Sequence, residues 1–401
     1  FVITYLLWFR KNRILSALTL LLAENKVKID VTRYTTAQRF LIIRATMKRA
    51  TVLFSIFLCL SSVVNAQERK VIVPANAAKP VGPYSPGILV KDYLYVSGQG
   101  VRDAKNTMPD GVAAQAKQCL ENVKAIIEAA GLTMEHVVHM QLYLEKMSHL
   151  AEVDKVYASY FPNNPPARIV IGVAKMPTDT TIEMTAVVAR EVQRKKVLSL
   201  KSLVPLGHAS SAIQVGNRTY FSGVYGNSAS EAEAHMKKAL GEANLKSSNV
   251  VLSNFYGVTA SSLIPMRELP NQTQAAYSVI AAKKVKRVAR SASYCAADGD
   301  TVYCSVQLGN EAANKSVPDQ VKAAMQKLYA GLESHGVKLS MVTASNVYLD
   351  DIKEFAPMNQ TYATFFTNAP PTRTTVQPFP VSDRNNGNPP LVRISVVAVK
   401  E

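Results

Sequence analysis

The sequence predicts an α+β fold made of tandem copies of one unit, and three observations carry that prediction. The order hairpin, helix, strand, helix recurs along the chain. Within each unit the apolar residues switch between a period of two and steps of three and four. Short motifs return at matching places, the mark of an internal repeat. At 401 residues the chain exceeds one ordinary core and fits two or three domains. With 48% hydrophobic and 19% charged residues and no low-complexity tract, the composition is that of a globular protein.

Residues 1–46 begin with Phe and show no sustained period; their apolar pieces, Phe1–Phe9 and Ile14–Ala23, are each too short to span a bilayer. They read as sequence translated upstream of a start at Met47, with a membrane-proximal basic segment as the alternative. Residues 47–66 have a basic start (Lys48, Arg49), an apolar core over 50–60 and a small-residue exit, Val64-Asn65-Ala66. That combination predicts a secretory signal peptide, hence an exported protein, periplasmic or extracellular, with no membrane anchor after cleavage. Ten of the 46 Lys/Arg but two of the 29 Asp/Glu precede residue 67, so much of the formal charge of +17 is local. The mildly basic remainder suits anionic substrates, and no basic–aromatic interleaving marks a nucleic-acid face. Cys59 leaves with the signal; Cys119, Cys295 and Cys304 remain, where disulfides can persist.

The first unit covers 70–192. Residues 87–98 alternate around Lys91-Asp92 as a hairpin should, and a helix is expected after Pro109-Asp110, with Asp in capping range. Its apolar residues Leu120, Val123, Ile127 and Ala130 share one face, and Gly131 stops it. The third unit, 286–401, repeats this closely: Val317-Pro318-Asp319 parallels Met108-Pro109-Asp110, and Pro370-Pro371-Thr372-Arg373 parallels Pro165-Pro166-Ala167-Arg168. Cys295 and Cys304 flank a turn near Gly299-Asp300, which would set them opposite each other for a cross-strand disulfide. The middle unit, 198–285, is shorter. Gly207-His208-Ala209-Ser210 stands where Gly82-Pro83-Tyr84-Ser85 does, and helix 229–243 and strand 250–258 follow. Pro270-Asn271-Gln272-Thr273 echoes Pro357-Met358-Asn359-Gln360-Thr361, and the spacing of Tyr95, Tyr220 and Tyr303 implies that the Arg-bearing final hairpin is missing. The basic run 283–287 at the next junction reads as a solvated linker.

Several motifs in order make the first unit resemble the RidA (YjgF-type) family of imine/enamine deaminases. They are Gly82-Pro83-Tyr84-Ser85-Pro86, Tyr95-Val96-Ser97-Gly98-Gln99, helix 118–131, Pro166-Ala167-Arg168 and the strand 181–188 around Glu183. The resemblance implies chorismate-mutase-like domains, a sheet with two helices on one face, assembling as trimers with ligand pockets at the interfaces. Three copies in one chain then suggest an intramolecular pseudo-trimer, with a homotrimer of chains as the alternative. It implies hydrolysis of 2-imino or enamine acids to 2-keto acids and ammonia, as by a 2-iminobutanoate/2-iminopropanoate deaminase, with no cofactor and no metal.

The chemistry fits the residue types. An arginine fork grips a carboxylate in two places, so Arg168 is expected to hold the substrate. Glu183, a carboxylate inside an apolar strand, is expected to position and activate water. The resemblance places Tyr84, Ser97 and Gly98 around the ligand. Asp154 stands where many relatives have Asn, and would repel an anionic substrate unless paired; Asn271 and Asn359 are read as its counterparts. The third unit keeps Asn359 and Arg373, but Val306 replaces the Gly and Arg393 the Glu, which leaves two arginines able to bind an anion without a base. Only the first unit is expected to be catalytically complete. Glu135-His136-Val137-Val138-His139 enters a strand, so its two His would face opposite ways and hold no metal. The competing readings are a non-catalytic small-carboxylate or protein-binding module and, with least support, an RNase.

Overall fold

The computed structural model describes residues 69–288, 294–311, 313, 315–383 and 387–400. The expected upstream segment 1–46 and signal peptide 47–66 lie outside the described residues. Among the described residues no helix is long and apolar enough to cross a membrane.

In the first copy, β1 (Lys70–Ile72), β2 (Gly87–Val90) and β3 (Tyr93–Gln99) precede α1 (Val112–Ala129) and β4 (Val137–Leu144). Then come α2 (Leu150–Tyr160), β5 (Ala167–Gly172) and β6 (Ile182–Ala189). The sheet runs β1-β2-β3-β6-β4-β5. Its β4–β5 pair is parallel because α2 returns the chain to the starting end of the sheet. Strand alternation sends Leu94, Val96, Met140, Leu142 and Met184 to the helix side, against Leu120, Val123 and Ile127 of α1 and Val153 and Tyr157 of α2. Each such buried side chain contributes on the order of 1.5–3 kcal/mol. The expected Asp110 cap is not formed; Gly111 holds the N-cap position without a side-chain bond. Met108-Pro109-Asp110 therefore lies ahead of its helix, whereas in the third copy the matching residues form the first turn.

That third copy holds β14 (Cys295–Asp298), β15 (Thr301–Leu308), α4 (Val317–Ser334), β16 (Val342–Leu349), α5 (Phe355–Ala363), β17 (Thr372–Val376) and β18 (Val392–Val399). Its sheet order is β14-β15-β18-β16-β17. Ser316 caps α4 by accepting from the Asp319 N–H at 3.3 Å. Cys295 lies opposite Cys304 in the hairpin, and the two are disulfide-bonded. Here β14 is the sheet edge, where the first copy adds β1; among the described residues only Lys286 pairs beyond it, as an isolated bridge to Ala297.

The middle copy comprises β7 (Lys195–Leu198), β8 (Ala212–Val215), β9 (Arg218–Phe221), β10 (Val224–Gly226), α3 (Ala229–Glu242), β11 (Val250–Gly257), β12 (Ile264–Pro265) and β13 (Ala275–Ala282). The order β12-β11-β13-β9-β8-β7 is the first sheet read from its other edge. This corrects the expected loss. The final strand is retained as β13; what is gone is the second helix and all but two residues of the Arg-bearing strand. It also corrects the reading of Asn271. With φ 55° in a turn, Asn271 matches Thr178 (φ 59°) in the turn before β6, not Asn359 on α5.

The faces turned away from the helices pack against one another, in cores that draw Tyr95, Tyr220 and Tyr303, and again Tyr143, Tyr256 and Tyr348, from all three copies. Register makes these positions equivalent: Tyr95, Tyr220 and Tyr303 face Val187, Ile280 and Val397 on the matching strands. The sheets thus meet around an approximate threefold axis inside one chain. Two residues earlier on the same strands, the equivalent positions are Tyr93, Arg218 and Thr301. The Arg218 guanidinium donates to Thr301 Oγ1 at 2.5 Å and Asp298 Oδ2 at 2.6 Å and lies 4.5 Å over the Tyr93 ring.

Candidate active site at a junction between copies

The first and third sheets each meet a neighbouring copy through their Arg-bearing edge strand. Ser85 of the first copy donates its N–H to Pro371 O at 3.1 Å and its hydroxyl to Pro370 O at 2.5 Å. Ser210 of the middle copy makes the same two bonds, to Pro166 O at 3.2 Å and Pro165 O at 2.5 Å. So the third copy's β17 docks on the first copy, and the first copy's β5 docks on the middle copy. The two junctions can be compared position by position.

At the junction of the third copy with the first, a cavity of about 70 Å³ is lined by Tyr84, Gly98, Gly100, Thr180, Glu183, Phe355, Arg373 and Thr375, among others. Arg373 comes from β17 and Glu183 from β6, so the two halves of the site belong to different copies. Glycine makes the room: a Cβ on Gly98 would stand 1.9 Å from Glu183 Oε1, and one on Gly100 2.5 Å from Thr180 Oγ1. Arg373 is 4% exposed and boxed by aromatic rings, with its Cζ 5.1 Å from the Tyr362 centroid, 5.5 Å from Phe355 and 5.6 Å from Tyr84. Its Nη1 is buried without a partner, as are Asn359 Oδ1 and Thr375 Oγ1. Among the described residues no carboxylate forms an ion pair with Arg373. Burial pushes the Glu183 carboxyl up to about 8, against the opposing pull of Arg373. Burial likewise lowers Arg373, partly offset by Tyr362, Tyr84 and Glu183. A buried cation beside an acid that is mostly protonated at neutral pH favours an anionic ligand.

The junction of the first copy with the middle one is filled. Arg168 donates to Asp154 Oδ1 at 2.6 Å and Leu206 O at 2.8 Å, and stacks 4.5 Å over Tyr157. Ala276 takes the place of Glu183: Tyr256 pairs with Ala276 as Tyr143 pairs with Glu183. Where the first copy has Gly100, two residues beyond Gly98, the middle copy has Tyr225, two beyond Gly223. The Tyr225 ring lies against Gly223, and its hydroxyl accepts from the Val170 N–H at 2.8 Å and donates to Val170 O at 3.0 Å. At the remaining junction Arg393 donates to Leu263 O at 2.7 Å and Pro390 O at 3.0 Å, and Val306 is buried where a glycine would leave space.

Three expectations are therefore corrected. Arg168 and Glu183 do not share a cavity. They lie on β5 and β6, separated by β4, and Arg168 aligns with Ala186, three residues from Glu183. That offset is about 10 Å across the sheet and about 10 Å along it. Arg373 and Arg393 do not meet either: Arg393 points into the junction with the middle copy. And the complete set of groups is not in the first copy; it is assembled from the third copy's Arg373 and the first copy's Glu183. Of the other expected residues, Tyr84 and Gly98 line the cavity and Asn359 borders it, close to Arg373 across Gly82. Asp154 is the paired counterion of Arg168. Ser97 is one residue removed, its hydroxyl donating to Pro86 O at 3.0 Å and accepting from Gln99 at 2.8 Å.

Gly100, Thr180, Phe355 and Thr375 were not anticipated from sequence; the contrast of Gly98-Gln99-Gly100 with Gly223-Val224-Tyr225 was the available signal. His139 is buried, stacked 6.0 Å from Tyr220 and pushed down to about 4 by burial, and His136 bonds to Thr133. No group of metal-ligating side chains occurs among the described residues.

The profile of the Endoribonuclease L-PSP family matches residues 74–190 and 284–385, together more than half of the chain. A RutC family protein of Pyrococcus horikoshii is 38% identical over 125 residues, 31% of this chain and 99% of the relative. A 2-iminobutanoate/2-iminopropanoate deaminase of Escherichia coli K12 is 37% identical over 125 residues, 30% of this chain and 98% of the relative. Among solved structures, the YjgF gene product of E. coli is 36% identical over 30% of this chain and 99% of that one, at a TM-score of 0.30.

Proposed function

This chain belongs to the Endoribonuclease L-PSP family, in which RidA-type deaminases stand, and from that premise we propose that it hydrolyses 2-imino acids or their enamine tautomers to 2-keto acids and ammonia, in the cavity between its third and first copies. The single observation that carries the reading is Arg373, a buried arginine without a counterion among the described residues, sharing a cavity with a buried acid poised near neutrality. Arg373 holds the substrate carboxylate with its fork. Glu183, protonated, gives its proton to the imine nitrogen and makes the carbon electrophilic. The resulting carboxylate takes a proton from the attacking water, and the carbinolamine forms. Glu183 then protonates the amine, the carbon–nitrogen bond breaks, and the carbinolamine hydroxyl proton returns to Glu183 as ammonia leaves. An acid with a pKa near the working pH is suited to both directions of transfer. Arg168 and Arg393, each bonded within its own junction, take no part.

The test is ammonia release or keto-acid formation from imines made in situ by an amino-acid oxidase. Acceleration by the wild type that is lost in Arg373→Ala and Glu183→Gln, and kept in Arg168→Ala, supports the reading. Keto-acid binding that needs Arg373, without acceleration of any imine, supports the carboxylate-binding module instead. We also propose that the chain closes its site within a monomer and is exported by residues 47–66, with the Cys295–Cys304 disulfide suited to an oxidising compartment. Sedimentation at a single-chain mass and an N-terminus near Gln67 in fractionated cells are the expected results.

A further inference from the structure

Thr375 lies two residues after Arg373 on β17, so both side chains stand on one face of the strand, about 6.6 Å apart along it. It lines the same cavity as Arg373 and Glu183. The residue is 5% exposed, and its Oγ1 is buried with no hydrogen-bond partner. A buried hydroxyl without a partner is unfavourable, so such groups in native proteins call for an explanation. Two hydroxyls of the same cavity already accept bonds from elsewhere. Thr180 Oγ1 accepts from the Val101 N–H at 3.3 Å, and the Tyr84 hydroxyl accepts from the Val81 N–H at 3.3 Å. At the filled junction the equivalent position is Val170, packed in the apolar core under α1 and α2. An apolar residue is therefore accommodated by the fold at this position, and the hydroxyl of Thr375 answers to the cavity rather than to the strand.

We propose that Thr375 is a specificity-determining residue that hydrogen-bonds a polar group on the substrate side chain, so that the site prefers hydroxylated 2-imino acids over their apolar isosteres. This rests on the deaminase reading of the same cavity. A site built to pair with a substrate hydroxyl rejects the analogue lacking it, because its own buried group is then left unpaired. The carboxylate is held by Arg373 and the imine nitrogen by Glu183, which leaves Thr375 for the third point of attachment.

The experiment compares two imines that differ by a hydroxyl in place of a methyl, generated by an amino-acid oxidase from homoserine and from norvaline. The wild type is expected to favour the homoserine-derived imine by at least about ten-fold in kcat/KM. Thr375→Val should bring the ratio to about one, mainly through loss on the hydroxylated imine, and Thr375→Ser should keep the preference. A wild-type ratio near one, or a preference that Thr375→Val leaves intact, overturns the proposal. If neither imine is accelerated, the deaminase reading fails by itself. The subsite is then read by calorimetric binding of 4-hydroxy-2-oxobutanoate against 2-oxopentanoate, where equal affinities, or a preference unchanged in Thr375→Val, overturn it.

Discussion

The two junctions made by the first copy use the same strands and the same serine–proline bonds, yet one encloses a cavity and the other is filled by side chains. Going from open to filled, Glu183 becomes Ala276, Gly100 becomes Tyr225, Asn359 becomes Asp154, and Thr375 becomes Val170. Both keep the arginine. Among the described residues Arg373 has no carboxylate partner, whereas Arg168 has Asp154 at 2.6 Å and a backbone carbonyl at 2.8 Å. The arginine alone thus says little about a live site. What matters is whether the molecule itself supplies the anion, and whether a ring or a void stands beside the glycine.

The sharpest way to break this comparison is to remove one arginine at a time. Arg373→Ala and Glu183→Gln should each lower kcat/KM by about 10²-fold or more, while Arg168→Ala leaves it within about two-fold. Equal losses from the two arginines would mean that the filled junction works after all.

A smaller but more local effect is expected from Gly98→Ala. Its new Cβ would stand 1.9 Å from Glu183 Oε1, so the carboxyl must move. We expect a loss of at least about ten-fold in kcat with a folded protein, since an angstrom of misplacement is costly to catalysis. The same change at Gly223 displaces Tyr225 and should leave kcat unaltered.

pH sharpens the comparison next, because burial raises the acid of the open junction, Glu183, and the filled junction has Ala276 in its place. The Glu183 carboxyl ordinarily titrates at 4.5 but is held at about 8 when folded. Its protonated form is favoured by the fold, so this contribution to stability is fully present below pH 4.5 and falls away as pH rises through 8. Denaturant unfolding from pH 5 to 9 should show that decline, and Glu183→Gln should flatten it. The catalytic rate of the wild type should fall above pH 8 as the acid ionises.

Arg168→Ala carries a stability cost instead, about 1–2 kcal/mol, since Asp154 keeps 20% of its side chain exposed and is not wholly stranded. Smallest in functional terms is the disulfide. Cys295→Ser with Cys304→Ser opens a link between residues nine apart in sequence. It should cost about 2–3 kcal/mol of unfolding free energy, with kcat unchanged.

Much of the fold was legible because its signals are local. The helix faces at Leu120, Val123 and Ile127, and again at Val321, Met325, Leu328 and Leu332, are carried by spacing alone, and all seven residues are buried. Cys295 and Cys304 could be set opposite each other from the turn between them. The middle copy misled because Pro-Asn-Gln-Thr looks alike in a helix and in a left-handed turn. With the second helix gone, the motif slid along the alignment. The site was half legible. An arginine after Pro-Ala and a glutamate inside an apolar strand stood out, but Arg168 and Glu183 lie fifteen residues apart in one sequence and in two different junctions in space. Sequence spacing within a unit carries no information about which neighbour an edge strand will meet. Thr375 was silent for another reason: threonine is common in strands, and nothing in the local sequence marks its place in the cavity.

The meeting of Tyr93, Arg218 and Thr301 on the axis has a consequence for how such a chain can change over time. In an assembly of three identical chains any residue near the axis appears three times, so a cation there must face two copies of itself. A fused chain lifts that restriction. One position supplies the charge, a second the ring, a third the hydroxyl, and Asp298 balances the result. The cost is that the copies are no longer interchangeable. The middle unit supplies the Arg218 cation of this cluster, and dropping, reordering or doubling it would break the match, even though it contributes neither Arg373 nor Glu183 to the cavity.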